Sequence, residues 1–198
     1  MKTLMLAAGL AAGLLGAAWA VTGADAVPGE RTSLFDGTSL TGWKVLKCEA
    51  VVTNGMLLIK DGNGLVQSEK KYGDFIFECE WKALKPDKWD SGIYFRYDPN
   101  LKGKPWPPRY QVNLRQGDEC NVGGLKGATC KPGMTKAHDW NSLKLTVRGN
   151  SAALEVNGKP AWKAEGLGYV SDSHIALQAE VPNGGQYLFR NIFITELK

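Results

Sequence analysis

The chain has 198 residues, 43% of them hydrophobic and 22% charged, with 24 lysines and arginines against 20 aspartates and glutamates. The net charge of +4 is mild and spread along the chain. No basic cluster is interleaved with aromatics, which argues against nucleic acid as a partner. The length suits one domain with a sizeable core.

The N-terminus reads as a targeting segment. Lys2 is followed by an apolar, small-residue stretch over 4–16 and by Ala18-Trp19-Ala20, an A-x-A cleavage pattern. Residues 1–20 are therefore expected to be a signal peptide, with an alternative cleavage after Ala26. The apolar run is too short for a membrane span, so no stable membrane anchor is expected after cleavage. The implied destination is periplasmic or secreted. Residues 21–32 read as a flexible polar leader, and 33–198 as a single domain.

From there the pattern is strand after strand, with turn residues between them. Val51-Val52-Thr53, Asn54-Gly55 and Met56-Leu57-Leu58-Ile59 read as a hairpin, because Asn-Gly suits a type I′ turn. Asp61-Gly62-Asn63-Gly64 reads as a further turn. Over 75–82, Phe75, Phe77, Cys79 and Trp81 share one face, and Glu78, Glu80 and Lys82 the other. In 93–96, Tyr94 and Arg96 oppose Ile93 and Phe95. Pro99, Pro105, Pro107 and Pro108 mark a loop. Gln111, Asn113 and Arg115 then oppose Tyr110, Val112 and Leu114. A Gly-rich loop spans 116–139, and loops of that length are usually functional or stapled. Strands over 141–148, 152–156, 173–179 and 187–197 follow, with Asn157-Gly158 as a second hairpin signal. With no amphipathic helix after the N-terminal segment, the pattern is an all-β sandwich or jelly roll.

An apolar face builds a core. A second face carrying carboxylate, guanidinium and amide groups suits a sugar-binding groove, and equally suits a solvated outer face. Trp89 and Trp106 lie in loops, where an indole can stack on a sugar or pack back on the sheet. His138 and His174 have no second histidine at ligand spacing, so no histidine metal site is expected. The four cysteines, Cys48, Cys79, Cys120 and Cys130, are an even number in an exported chain. Cys120 and Cys130 flank the Gly-rich loop and form the favoured pair, leaving Cys48 with Cys79. Sequence alone admits three pairings.

Several runs, in order, resemble the 3-keto-disaccharide hydrolase family, also described as 3-keto-glucoside lyase/hydratase-like. They are Leu34-Phe35-Asp36-Gly37 through Gly42-Trp43, Asp90-Ser91-Gly92-Ile93-Tyr94-Phe95-Arg96, Trp140-Asn141, Val156-Asn157-Gly158, Ile175-Ala176-Leu177-Gln178 and Phe189-Arg190-Asn191-Ile192. The resemblance implies a concanavalin A-like lectin/glucanase jelly-roll β-sandwich with a groove on one sheet. It implies a substrate oxidised at C3 of the sugar, whose ketone acidifies the C2 proton. A base removes that proton, the C1 substituent leaves, and water adds back. No nucleotide cofactor is needed, and a divalent metal ion bound by groove carboxylates is an open option.

On this resemblance Glu80 is the expected base and Arg96 its electrostatic partner. Asp90, Tyr94, Gln111, Asn113, Gln178 and Trp106 are the expected substrate contacts. Two departures stand out. The family has Glu-x-Gln where this chain has Gln111-Val112-Asn113, and an amide cannot act as a general base. It also continues Asp-His after Gln178, where this chain has Ala179-Glu180. Three functions follow in order: 3-keto-glycoside cleavage, a non-catalytic carbohydrate-binding module, and a two-carboxylate glycoside hydrolase.

Overall fold

The computed structural model describes residues 28–98, 103–168 and 171–198. The expected signal peptide and Pro99 lie outside the described residues. Among those described, every helix or strand element is a strand: β1 (Pro28–Ser33), β2 (Trp43–Thr53), β3 (Met56–Ser68), β4 (Phe75–Ala83), β5 (Gly92–Tyr94), β6 (Gln111–Asn113), β7 (Asn141–Arg148), β8 (Ser151–Val156), β9 (Lys159–Glu165), β10 (Ala176–Glu180) and β11 (Tyr187–Leu197). They hydrogen-bond in the order β6-β5-β10-β3-β11-β4-β7-β8-β9, with β1 beside β11 and β2 beside β3.

This sheet curls into two leaves because β3 serves both. Its second half pairs β10, and its first half pairs β11. The first leaf is β6-β5-β10 with the end of β3; the second is β11-β4-β7-β8-β9. Their apolar faces close on one core, in which Phe75, Phe77 and Trp81 of the second leaf join Ile93, Val112 and Leu177 of the first. Strict alternation supplies this face, with β4 burying every second side chain from Phe75 to Ala83. Each fully buried Phe or Leu contributes about 1.5–3 kcal/mol.

The hairpins form as the sequence reads. Asn54 and Gly55 both take positive φ (49° and 75°), as do Asn157 and Gly158 (51° and 72°), which the I′ turn requires.

Three expectations are corrected. Residues 28–32 are not leader but strand β1, paired along β11; its side chains are almost all exposed, so it carries no apolar signal. Residues 61–64 are not a turn, because β3 runs straight through them. There the partner strand β2 slips register around Lys47, and a Cβ on Gly64 would lie 1.8 Å from the Leu46 carbonyl oxygen. The glycines permit a close strand contact, not a reversal. Finally, all four cysteines are free thiols, so neither expected disulfide is formed. Cys79 is buried on β4 opposite Leu143, whereas Cys48 sits half-buried on β2 opposite Gly62. Cys120 and Cys130 lie close enough for each to shift the other's thiol.

Candidate functional site

The outer face of the first leaf gathers polar groups in register. Tyr94 lies opposite Gln111 on one side and Ala176 on the other, and Gly92 lies opposite Asn113. The ladder continues below β5, with Leu114 N donating to Ser91 O and Gln116 N to Trp89 O. That register sets Arg115 opposite Asp90. Ile93, Val112 and Leu177 point the other way into the core, so Asp90, Gly92 and Tyr94 share the outer face with Gln111, Asn113, Arg115, Gln178 and Glu180.

Gly92 is required here. A Cβ on it would lie 1.9 Å from Gln111 Nε2, so the Gln111 side chain crosses the strand over the glycine. Gln111 Nε2 donates to Gln178 Oε1, and Gln178 Nε2 donates to Glu180 Oε2 at 2.8 Å. Three strands are thus tied by an amide chain ending on a carboxylate. The turn after β10 brings the second carboxylate alongside. Gly184 N donates to Glu180 O at 2.5 Å, and Asp90 N donates to Gly184 O at 2.9 Å. A Cβ on Gly184 would lie 2.2 Å from Asp90 O, so only glycine fits.

The two acids share an uncomfortable environment. Burial raises the Glu180 carboxyl above its ordinary value, and the Asp90 charge raises it further against Arg115 and the Gln178 hydrogen bond. Burial likewise raises Asp90, opposed by Arg115. Arg115 is itself exposed and paired with Asp118. Burial and the charges of Glu180 and Asp90 push the Tyr94 phenol up, keeping it a neutral donor.

At the Tyr94 end the face is roofed. Tyr97, Trp106, Leu65, Tyr94 and Ala176 form a small apolar cluster. Tyr97 OH donates to Gln67 Oε1 at 2.7 Å, and Trp106 Nε1 to Ala179 O at 3.0 Å. At the other side Asn113, Arg115 and Asp118, with residues 121–129, line an open groove of about 690 Å³. A groove of that size accommodates a sugar ring with its substituent.

The structure therefore brings together Asp90, Tyr94, Gln111, Asn113 and Gln178, with Trp106 at their edge. It does not bring Glu80 or Arg96 to them. Glu80 lies on the outer face of the second leaf and accepts from Arg190 Nε at 2.6 Å. The Arg190 guanidinium stacks 3.8 Å over Trp140. Arg96 is 1% exposed, because β5 ends at Tyr94 and Arg96 takes φ 47°. It donates to Asp74 Oδ1 at 2.6 Å and Gly73 O at 3.1 Å, so the expected Glu80–Arg96 partnership is absent. Trp89 is 5% exposed against His138 and presents no ring to a sugar. Sequence reasoning missed Arg115 and Glu180 as site residues. Each shares strand parity with residues it did choose, Arg115 with Gln111 and Asn113, and Glu180 with Gln178.

Among the described residues no three His, Cys, Asp or Glu side chains stand together as a metal-binding group. Asp90 and Glu180 with neighbouring amides are short of a full oxygen cage for a divalent ion.

Two antiparallel leaves on one core, with a polar groove on one outer face, define a concanavalin A-like jelly roll. Solved structures share it. A candidate glycosyl hydrolase from Parabacteroides distasonis superposes with a TM-score of 0.65 at 17% identity, covering 85% of this chain and 94% of that one. The carbohydrate binding module CBM66 from Bacillus subtilis gives 0.60 at 16% identity, over 77% and 94%. A β-1,3-1,4-glucanase (lichenase) from a mouse hindgut metagenome gives 0.51 at 12% identity, over 87% and 94%. At these identities the likeness is one of fold. Among curated proteins none matches the chain. The 3-keto-alpha-glucoside-1,2-lyase-like domain model matches residues 30–195, and the chain belongs to that family.

Proposed function

We propose that the protein cleaves 3-keto-glycosides by proton abstraction at C2 and elimination at C1, using the Asp90–Glu180 face. The observation that carries this reading is the meeting of two carboxylates with raised proton affinity and one arginine beside a sugar-sized groove. Glu180, oriented by Gln178, takes the C2 proton; a carboxylate whose pKa is raised is a stronger base for that task. Arg115 faces the enolate oxygen as charge develops on it. Asp90, whose carboxyl burial raises above its ordinary value, donates a proton to the departing C1 oxygen. Water then adds at C1 to complete a net hydrolysis. Gln111, Asn113 and Tyr94 hydrogen-bond sugar hydroxyls, and Trp106 borders the bound ring. Gln111 holds Gln178, so the family's acid at this position is replaced by an orienting amide.

The test is to incubate the mature domain with a panel of 3-keto-glucosides and follow the C1 leaving group by NMR. Release that disappears in Glu180→Gln supports the reading. Release that persists in Glu180→Gln and stops in Glu80→Gln moves the base to the second leaf. A second reading is a binding module without turnover. The amides at 111 and 178 favour it, as does the likeness to a carbohydrate binding module. Sugar binding with no release from any keto-glycoside selects it. The pattern of Lys2, the apolar run and Ala18-Trp19-Ala20 supports export, which N-terminal sequencing of the mature protein tests.

A further inference from the structure

The groove wall at residues 121–129 is bracketed by two neighbouring thiols, Cys120 and Cys130. Cys120 is fully buried, with its NH donating to Asn113 O at 2.6 Å and its carbonyl accepting from Trp162 Nε1 at 2.7 Å. It is held at φ 68°, a strained conformation for a residue with a Cβ, of the kind that collects at functional positions. Cys130 is half-buried. Its NH donates to Asn121 Oδ1 at 2.7 Å, and its sulfur lies 3.5 Å from Met134 Sδ. Val122 N donates to Ala128 O at 2.9 Å, and with the Cys130 NH on the Asn121 side chain the two ends of the loop run side by side.

We propose that Cys120 and Cys130 are a redox-active dithiol whose oxidation closes residues 120–130 into a ring and fixes the groove wall. The pair is differentiated as such chemistry requires. The Cys130 thiol is shifted down by its Cys120 neighbour, and the buried Cys120 thiol is shifted up. The Cys130 thiolate attacks one sulfur of an organic disulfide, and a thiolate leaves. Cys120, losing its proton, then attacks the Cys130 sulfur of the mixed disulfide and expels the second thiolate. One Cys120–Cys130 bond forms, the organic disulfide is reduced to two thiols, and the protein loses two hydrogens. Cys48 and Cys79 take no part.

The experiment equilibrates the full mature chain with oxidised and reduced glutathione, followed by alkylation, digestion and mass spectrometry. The expected result is a cross-link between the peptides carrying Cys120 and Cys130 alone, lost in Cys130→Ser and kept in Cys48→Ser. Reduction is expected to lower Tm by about 5 °C and to speed amide exchange over 121–129. Free alkylation of both thiols under oxidising conditions overturns the proposal. So does a cross-link whose reduction leaves Tm and exchange unchanged. The expected few-fold weakening of sugar binding on reduction rests on the proposed function. A cross-link that forms and stiffens the loop in a protein binding no sugar upholds the thiol pair and counts against that function.

Discussion

On the outer face of the second leaf, Glu78, Glu80 and Glu155 each have a cation of their own; on the first leaf, Asp90 and Glu180 share one. Arg31 meets Glu78 at 2.7 Å, Arg190 meets Glu80 at 2.6 Å, and Lys144 meets Glu155 at 3.1 Å. A cavity of about 320 Å³ lies among these groups, but its charges are satisfied pairwise. Around Asp90 and Glu180 the balance differs. Burial raises both carboxyls, the Asp90 charge raises Glu180 further and the Asp118 charge raises Asp90, while the arginine opposite Asp90 is paired with Asp118. A polar sheet face is common, whereas half-buried acids left short of counter-charge are candidates for chemistry. Composition alone does not separate the two faces, since both carry acids, bases and amides at alternate positions.

The sharpest way to break the comparison is to remove one acid from each face. Glu180→Gln is expected to lose about 10²–10⁴-fold in turnover, measured as leaving-group release, with the fold intact by circular dichroism. Gly92→Ala comes next. Its new methyl displaces Gln111 from Gln178, and about a tenfold fall in turnover is expected for a misplaced catalytic carboxylate. Its stability cost is expected to be about 1–3 kcal/mol, because the Gln111 stem as well as its amide must shift, and a urea melt checks this. Glu80→Gln on the other face should change turnover less than about twofold and stability by no more than about 1 kcal/mol, as for exposed ion pairs.

The smallest expected effect is in pH dependence. A carboxyl raised in the folded state binds more protons there than in the unfolded chain, between its ordinary and its raised pKa. Stability therefore falls as pH rises through that window, and the penalty is fully present above it. Glu180→Gln removes the penalty. The variant should match or exceed the parent in Tm at pH 7, and the advantage should vanish near pH 4. A variant less stable than the parent at pH 7 would show that Glu180 is a structural anchor.

Much of the fold was legible because its signals are local. The alternation of Phe75, Phe77, Cys79 and Trp81 and the Asn54-Gly55 and Asn157-Gly158 turns act within a few residues, and the structure shows each as read. Strand β1 was not legible because its stability comes from the ladder with β11 rather than from buried side chains. The glycines at 62 and 64 looked like a turn because sequence cannot show Leu46 passing 1.8 Å from where a Cβ would stand. The site was half legible. Parity placed Tyr94, Gln111 and Asn113 on outward faces, and the family resemblance added Gln178. It could not say that Glu80 faces away from them across the core, since alternation fixes a side chain relative to its strand, not its sheet. Asp90 and Glu180 are 90 residues apart in sequence and are joined through Gly184, a contact with no local signature.

The most direct test is to incubate one 3-keto-glucoside in D₂O with the parent, Glu180→Gln and Glu80→Gln, following C2 deuterium and the released C1 group together by NMR. The expected result is C2 exchange and release with the parent and Glu80→Gln, and neither with Glu180→Gln. Exchange and release that survive in Glu180→Gln would contradict the placement of the base on the first leaf.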